Sequence, residues 1–348
     1  MQAIQFLNNR TVMKTLLAAK LFDGFWDRWI THGIDQSELA AIRPSFSSDE
    51  QWARSWQRLA DNKVAKALAS KNNGAVREAE VELRTASLYY QMIAWLIPWK
   101  STEKAEWLNT GVTICKQADR LSPIQTRYES VQLKDGKCIG RVRVPHNPKG
   151  AVIMVNPFDS TKEELFTYEM DFLDDGYAVM NFDGPGQGQT FSNQGFRATD
   201  DRWRQYVDRM VQYAGETFPE LPIHLFGTSS GASWALYGSG LPGVSKVVAV
   251  SPAFPNDDIQ LPDYFFERTR HLMESGETIL PPVDNLAFRK PVFLIHGKKD
   301  VMVSEKKIYE LYDRLPEGKR FLEYEDEAHC CNYKLPEIRD RSMKWFQT

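Results

Sequence analysis

The sequence predicts an α/β protein: a mostly parallel, doubly wound sheet preceded by an N-terminal helical domain. Three observations carry this expectation. Up to about residue 122 nearly every segment reads as helix. After residue 125 short β-rich runs appear, separated by turn residues. Those runs then alternate with helix-compatible stretches, the pattern of right-handed β–α–β crossovers. Two domains are therefore expected, residues 1–122 and 123–348, the second with a small insertion at about 254–289.

The first region reads as about five helices. Residues 77–97 carry Val81, Leu88, Tyr89, Met92, Ile93, Leu96 and Ile97. From Leu88 on these recur every three to four residues and share one helical face, and Pro98 ends the helix. Ser48-Asp49-Glu50 reads as a helix start, with acids at the positive end of the dipole. Ser101-Thr102-Glu103 reads the same way before Trp107 and Val112. Strands are expected at 128–133, 138–144, 151–156, 178–183, 223–226, 246–251, 292–296 and 321–324. The first two form a hairpin around Lys134-Asp135-Gly136-Lys137. Later ones are continuous apolar runs such as Val247-Val248-Ala249-Val250, suited to central parallel strands covered on both faces. Helices are expected between them, at 201–217 and 308–315 among others.

At 348 residues the chain can bury a sizeable core. Hydrophobic residues make up 42% and charged residues 26%, which excludes wholesale disorder. Lys plus Arg number 43 against 46 Asp plus Glu, so net charge supplies no reason to expect nucleic acid or an anionic membrane as partner. Cys115, Cys138, Cys330 and Cys331 form no CxxC pair; reduced thiols in a cytoplasmic protein are expected, without a zinc site. The apolar run 12–22 is broken by Lys14 and Lys20 and lacks a signal-peptide cleavage site. The densest apolar stretch, 88–99, is shorter than the roughly 18 residues that span a membrane. A soluble protein is expected.

The site-bearing signal is Gly227-Thr228-Ser229-Ser230-Gly231, which fits G-x-S-x-G. The apolar run Ile223-His224-Leu225-Phe226 precedes it and the helix-compatible Ala232-Ser233-Trp234-Ala235-Leu236 follows, the strand–turn–helix setting of a nucleophile elbow. The glycines are expected because so tight a turn leaves no room for Cβ atoms. A serine nucleophile needs a base oriented by an acid, in the order Ser, Asp or Glu, His. Downstream, Phe293-Leu294-Ile295-His296 leads to a loop with Asp300, and Phe321-Leu322-Glu323-Tyr324 to a loop with His329. Ser229, Asp300 and His329 thus fall at three strand ends, the ligand edge of an open α/β sheet. Asp326 is the rival acid, expected to be a solvated loop carboxylate. His296 is the rival base, expected to be a satisfied structural histidine; His32, His146, His224 and His271 lack a comparable setting. The N–H of Ser230 is one expected oxyanion donor and that of Phe158, after the 151–156 strand, the second. Asp159 beside it faces the substrate or anchors its loop, or else caps a helix beginning near Thr161. Asp183-Gly184-Pro185-Gly186-Gln187-Gly188 has glycines but neither a phosphate-loop lysine nor dinucleotide spacing, so it reads as a tight crossover turn beside the site.

These motifs resemble the α/β-hydrolase superfamily over residues ~125–348. Phe158-Asp159-Ser160-Thr161-Lys162-Glu163-Glu164, Asp183-Gly184-Pro185-Gly186-Gln187-Gly188 and His329-Cys330-Cys331-Asn332 narrow the resemblance. They resemble the branch of FrsA-like esterases, dihydroxypseudooxynicotine hydrolase and fungal polyketide-shortening hydrolases. The resemblance implies an α/β-hydrolase fold with a helical N-terminal cap, the triad Ser229, Asp300 and His329, a role near the site for Asp159, and a homodimer. It also implies cleavage of esters or of carbon–carbon bonds beside a ketone. Thr228 and Ser230 depart from common forms of the branch.

The expected chemistry is therefore that of a cofactor-free serine hydrolase acting on a small-molecule ester, thioester or ketone. Seven of the ten tryptophans (Trp26, Trp29, Trp52, Trp56, Trp95, Trp99, Trp107) lie in the first 107 residues. Most are expected to build the helical core. Helical cap and insertion are expected to line an apolar pocket between them, with Tyr264 and Phe265 as substrate contacts. A medium-sized, partly aromatic or acyl-chain substrate follows. The other readings are a lyase or cyclase of secondary metabolism using the same triad, and a non-catalytic regulatory or binding protein retaining the fold.

Overall fold

The computed structural model describes residues 2–255, 262–276 and 278–348. Six α-helices precede the first strand, where about five were expected: α1 (Gln2–Leu21), α2 (Asp27–Thr31), α3 (Gln36–Ile42), α4 (Asp49–Asn72), α5 (Val76–Leu96) and α6 (Thr102–Leu121). The starts of α3, α4 and α6 are set by side chains that take up orphan N–H groups. Asp35 accepts from the amides of Ser37 and Glu38, Ser48 from Gln51 and Ser101 from Lys104. The α5 pattern holds only in part. Val81 is exposed, and from Leu83 to Leu96 the helix is buried all round rather than on one face. The reason is packing on several sides. Trp26, Trp52 and Trp56 lie in one cluster with Leu88, Tyr89 and Met92, and Phe166 of the following region joins it. Trp52 Nε1 also donates to the Met92 carbonyl at 2.8 Å.

The remaining elements are β1 (Gln125–Gln132), β2 (Lys137–Val144), β3 (Ala151–Val155), α7 (Phe166–Asp174), β4 (Ala178–Asp183), α8 (Gly188–Gln194), α9 (Asp200–Thr217), β5 (Ile223–Thr228), α10 (Ser230–Gly238), β6 (Val244–Val250), α11 (Asp263–Leu272), β7 (Val292–Gly297), α12 (Glu305–Arg314), β8 (Arg320–Tyr324) and α13 (Leu335–Phe346). The strands form one sheet in the order β1-β2-β4-β3-β5-β6-β7-β8. β1 and β2 pair antiparallel, as do β2 and β4; every other pair is parallel. All residues of β3, β4, β5 and β7 are buried, as continuous apolar strands between two helical layers require. Residues 256–261 and 277 of the expected insertion lie outside the described residues; its described part carries α11.

A buried ionic cluster ties helices α5 and α6 to the sheet. Arg84 donates to Glu80 at 2.6 Å and Asp119 at 2.8 Å, while Arg141 meets Glu169 at 2.8 Å and Arg143 the same carboxylate at 3.3 Å. These charges are nearly inaccessible, so each depends on its partners for the solvation it lost. All four cysteines are free thiols. Among the described residues no helix is long and apolar enough to cross a membrane, and no His/Cys/Asp/Glu group could hold a metal ion.

Candidate active site

The chain direction along the sheet reverses between β3 and β5, so the loops after these strands flank the crevice where open α/β sheets bind ligands. Ser229 occupies the turn between β5 and α10 at φ 53° and ψ −126°, a backbone region that side-chain-bearing residues avoid. The turn closes because its glycines carry no Cβ. A Cβ on Gly227 would lie 2.3 Å from the Gly231 carbonyl oxygen, and one on Gly231 would lie 2.0 Å from that of Val155. Ser229 is half-buried, so its hydroxyl stays reachable.

Asp300 follows β7 and His329 follows β8. The Asp300 side chain is fully buried; its Oδ1 accepts from the amides of Met302 and Val303 at 2.8 and 3.2 Å. Its Oδ2 lies 2.8 Å from His329 Nδ1, and His329 Nε2 lies 2.8 Å from Ser229 Oγ. A carboxylate only accepts, so Nδ1 carries a proton, and whenever the ring is neutral Nε2 is the acceptor for the serine hydroxyl. Burial opposes charge on His329, but the Cys330 sulfur and the Asp300 carboxylate outweigh it and hold the imidazole well above its usual pKa. The histidine loop is set by tight backbone. Cys330 and Cys331 both have positive φ, the Cys330 amide donates to Ser251 Oγ at 3.1 Å, and a Cβ on Gly297 would meet the Glu327 carbonyl at 2.4 Å.

The rival groups lie elsewhere. Asp326 is solvated and pairs with Lys299 at 3.2 Å. His296 is buried in β7; contrary to expectation its Nδ1 has no hydrogen-bond partner among the described residues, and burial lowers its pKa. His224 stacks on Phe346 at 4.1 Å, and burial pushes it down to about 3.

The loop after β3 departs from expectation at Phe158, and at Asp159 it matches the loop-anchoring alternative rather than the helix cap. The Phe158 N–H is not free but donates to Ser230 Oγ at 2.8 Å, so that hydroxyl must turn away before the amide can serve an oxyanion. Asp159 caps no helix, since α7 begins only at Phe166. Its two oxygens instead accept from Arg28 Nη1 of α2 at 2.6 Å and from Trp95 Nε1 of α5 at 2.9 Å. Arg28 also grips both oxygens of Glu164, at 2.7 and 2.9 Å, and Gln187 donates to the carbonyls of Asn156 and Pro157. The loop that carries Phe158 is thus held from the helical segment on one side and from the glycine-rich 184–188 turn on the other. The same short α2 reaches the histidine loop, where Tyr333 donates to Asp27 at 2.6 Å.

Arg28, Trp95 and Gln187 had no local sequence signal, because each acts on residues far away in the chain. Tyr264 packs on Phe25 at 5.5 Å and Phe265 is half-buried; neither lines the ≈ 30 Å³ cavity beside Asp159. That cavity is walled by Gln91, Trp95, Lys104, Asp159, Arg268 and Leu272 among others.

Comparison with known proteins finds hydrolases similar to this chain. Residues 146–274, which include Ser229 but neither Asp300 nor His329, match the family Serine aminopeptidase, S33. The chain is 30% identical over 217 residues to 2,6-dihydropseudooxynicotine hydrolase of Paenarthrobacter nicotinovorans, covering 61% of this chain and 57% of that protein. It is 27% identical over 248 residues to a hydrolase of a Fusarium species, covering 65% and 58%. The chain therefore spans a little over half the length of these curated relatives. The crystal structure of 2,6-dihydroxy-pseudo-oxynicotine hydrolase superposes with a TM-score of 0.74 at 24% identity, covering 92% of this chain and 94% of that one. By its sheet order and the superposition, the chain has the α/β-hydrolase fold, and its sequence is similar to hydrolases of that superfamily.

Proposed function

We propose that the chain is a serine hydrolase acting on a carbonyl carbon. The observation that carries this reading is the pair of 2.8 Å hydrogen bonds that join Ser229 to His329 and His329 to Asp300. Ser229 Oγ attacks the carbonyl while His329 Nε2 takes its proton; Asp300 holds the ring in the required tautomer and stabilises the imidazolium. The Ser230 amide stands at the first helical position of α10, where an N–H lacks an intrahelical acceptor, and it holds the developing oxyanion together with the Phe158 amide. His329 then protonates the leaving group, and water releases the acyl group by the same steps in reverse. With an ester the leaving atom is oxygen; with a ketone flanked by a second carbonyl it is carbon, released as an enolate that His329 protonates.

The substrate is a medium-sized, partly aromatic or acyl-chain ester or ketone. The relative named for 2,6-dihydropseudooxynicotine supports this class, as do Trp95, Leu108, Phe191 and Leu272 in the wall beside Asp159. Residues 1–122 serve as a cap over residues 123–348, excluding water from the reacting carbonyl. The test is turnover of an aryl-ester and β-diketone panel. Ser229→Ala and His329→Ala are each expected to lower kcat by roughly 10⁴–10⁶-fold with unchanged circular dichroism, because such a triad acts as a unit. Near-native turnover in either variant would refute the mechanism.

A further inference from the structure

We propose that the cavity between α5, α6, α11 and the loop after β3 is an anion subsite, in which Arg268 and Lys104 take a carboxylate or enolate oxygen of the substrate. The proposal rests on the serine-hydrolase reading for its place in the reaction. The cavity's ≈ 30 Å³ holds about two waters or one carboxylate group, not a whole substrate.

Two buried cations face it. The Arg268 guanidinium lies flat on the Trp95 ring, 3.6 Å from its centroid. Its terminal nitrogens donate to the carbonyls of Trp95 and Leu96, and its Nε has no hydrogen-bond partner among the described residues. Lys104 Nζ donates to the carbonyls of Ala94 at 3.0 Å and Ile97 at 2.7 Å. All four acceptors are carbonyls at the C-terminal end of α5, so a plain capping role accounts for part of this arrangement. It does not account for two cations at one buried helix end, nor for the unused Nε.

The only carboxylate in the cavity wall, Asp159, is already matched. Its oxygens are taken by Arg28 and Trp95. A buried surplus of positive charge is costly unless an anion meets it. The surroundings register that strain: burial brings Arg268 down to about 10, and burial with Arg268 beside it brings Lys104 down to about 7. An incoming carboxylate would satisfy Arg268 Nε and relieve both. The place suits the chemistry, because Asp159 is the residue after Phe158, the second oxyanion donor. In this proposal the substrate's acidic or enolisable oxygen enters the cavity while its carbonyl reaches Ser229 past the Phe158–Asp159 loop. This selects β-keto acids and 1,3-dicarbonyl compounds over neutral esters.

Binding can be read without turnover, by calorimetric titration of Ser229→Ala protein with acetoacetate and, as the neutral comparator, 2-pentanone. Acetoacetate is expected to bind at least tenfold more tightly, and Arg268→Gln or Lys104→Met added to that background should each remove most of the difference, with Arg268→Lys retaining part. Should one of these variants not fold, the other and the comparison of the two ligands still decide. Equal affinities for the two ligands, no acetoacetate binding at millimolar concentration, or full discrimination in folded Arg268→Gln protein would overturn the subsite. Since the titration does not use Ser229, acetoacetate binding to a chain that proves inert as a hydrolase would uphold the subsite while the hydrolase reading fell.

Discussion

Replacing Arg28 by methionine tests how the helical segment holds the loop of Phe158, the proposed second oxyanion donor. Arg28 meets Glu164 through Nε and Nη2 and Asp159 through Nη1, and both carboxylates are only 2% exposed. Burial alone would raise the Glu164 pKa; Arg28 and His32 reverse this and hold it at about 2 against an ordinary 4.5. At about 1.4 kcal/mol per pH unit this difference is worth roughly 3 kcal/mol. Loss of one partner from a buried pair usually costs about 3–5 kcal/mol, so both routes agree. A depressed carboxylate contributes its full stability above about pH 4.5 and loses it as pH falls toward 2. Urea denaturation should therefore show Arg28→Met about 3 kcal/mol less stable than the parent at pH 7, narrowing to roughly 1 kcal/mol at pH 3. Arg28→Lys keeps the charge but not the fork, and should fall between. The loosened loop should lower kcat/KM by about tenfold or more, since small misplacements of positioning groups are costly. A deficit below 1 kcal/mol at pH 7, or one that does not shrink at low pH, would refute the reasoning.

Two other outcomes follow from the site. His329 must be neutral to accept the Ser229 proton and its pKa is held up by Cys330 and Asp300, so the acid limb of the kcat/KM profile should lie above the ordinary imidazole value near 6.5; a limb at or below that value would contradict this electrostatic account. Gly231→Ala places a Cβ 2.0 Å from the Val155 carbonyl oxygen and should abolish activity and lower Tm, whereas Gly215→Ala in α9, where a Cβ meets nothing within 4 Å, should raise stability by up to about 1 kcal/mol, both measured by thermal denaturation.

The legible parts of this molecule are those written locally. The central strands are short apolar runs bounded by turn residues and the more polar β1 and β2 flank a hairpin turn, so all eight fall within a few residues of where the sequence places them, and Ser229, Asp300 and His329 stand out because each follows a strand in the loop beyond it. Ser48 and Ser101 announce their helices by composition alone. What escapes the sequence is long-range pairing. Arg28 and Asp159 are 131 residues apart, and Arg268 and Trp95 are 173 apart; neither pair leaves any periodic trace. The five-residue α2, which reaches both the Phe158 loop and the His329 loop, is too short to show helical periodicity. The engagement of the Phe158 amide by Ser230 Oγ is a rotamer choice, invisible in any pattern of residue types.

The most direct measurement is the mass of the intact protein after reaction with a fluorophosphonate, followed by peptide mapping. An activated serine beside an oxyanion site attacks phosphorus as it would a carbonyl and keeps the adduct. The account predicts one adduct per chain, located on Ser229, and none in His329→Ala protein under the same conditions. An unmodified chain, or an adduct on any other residue, would contradict it.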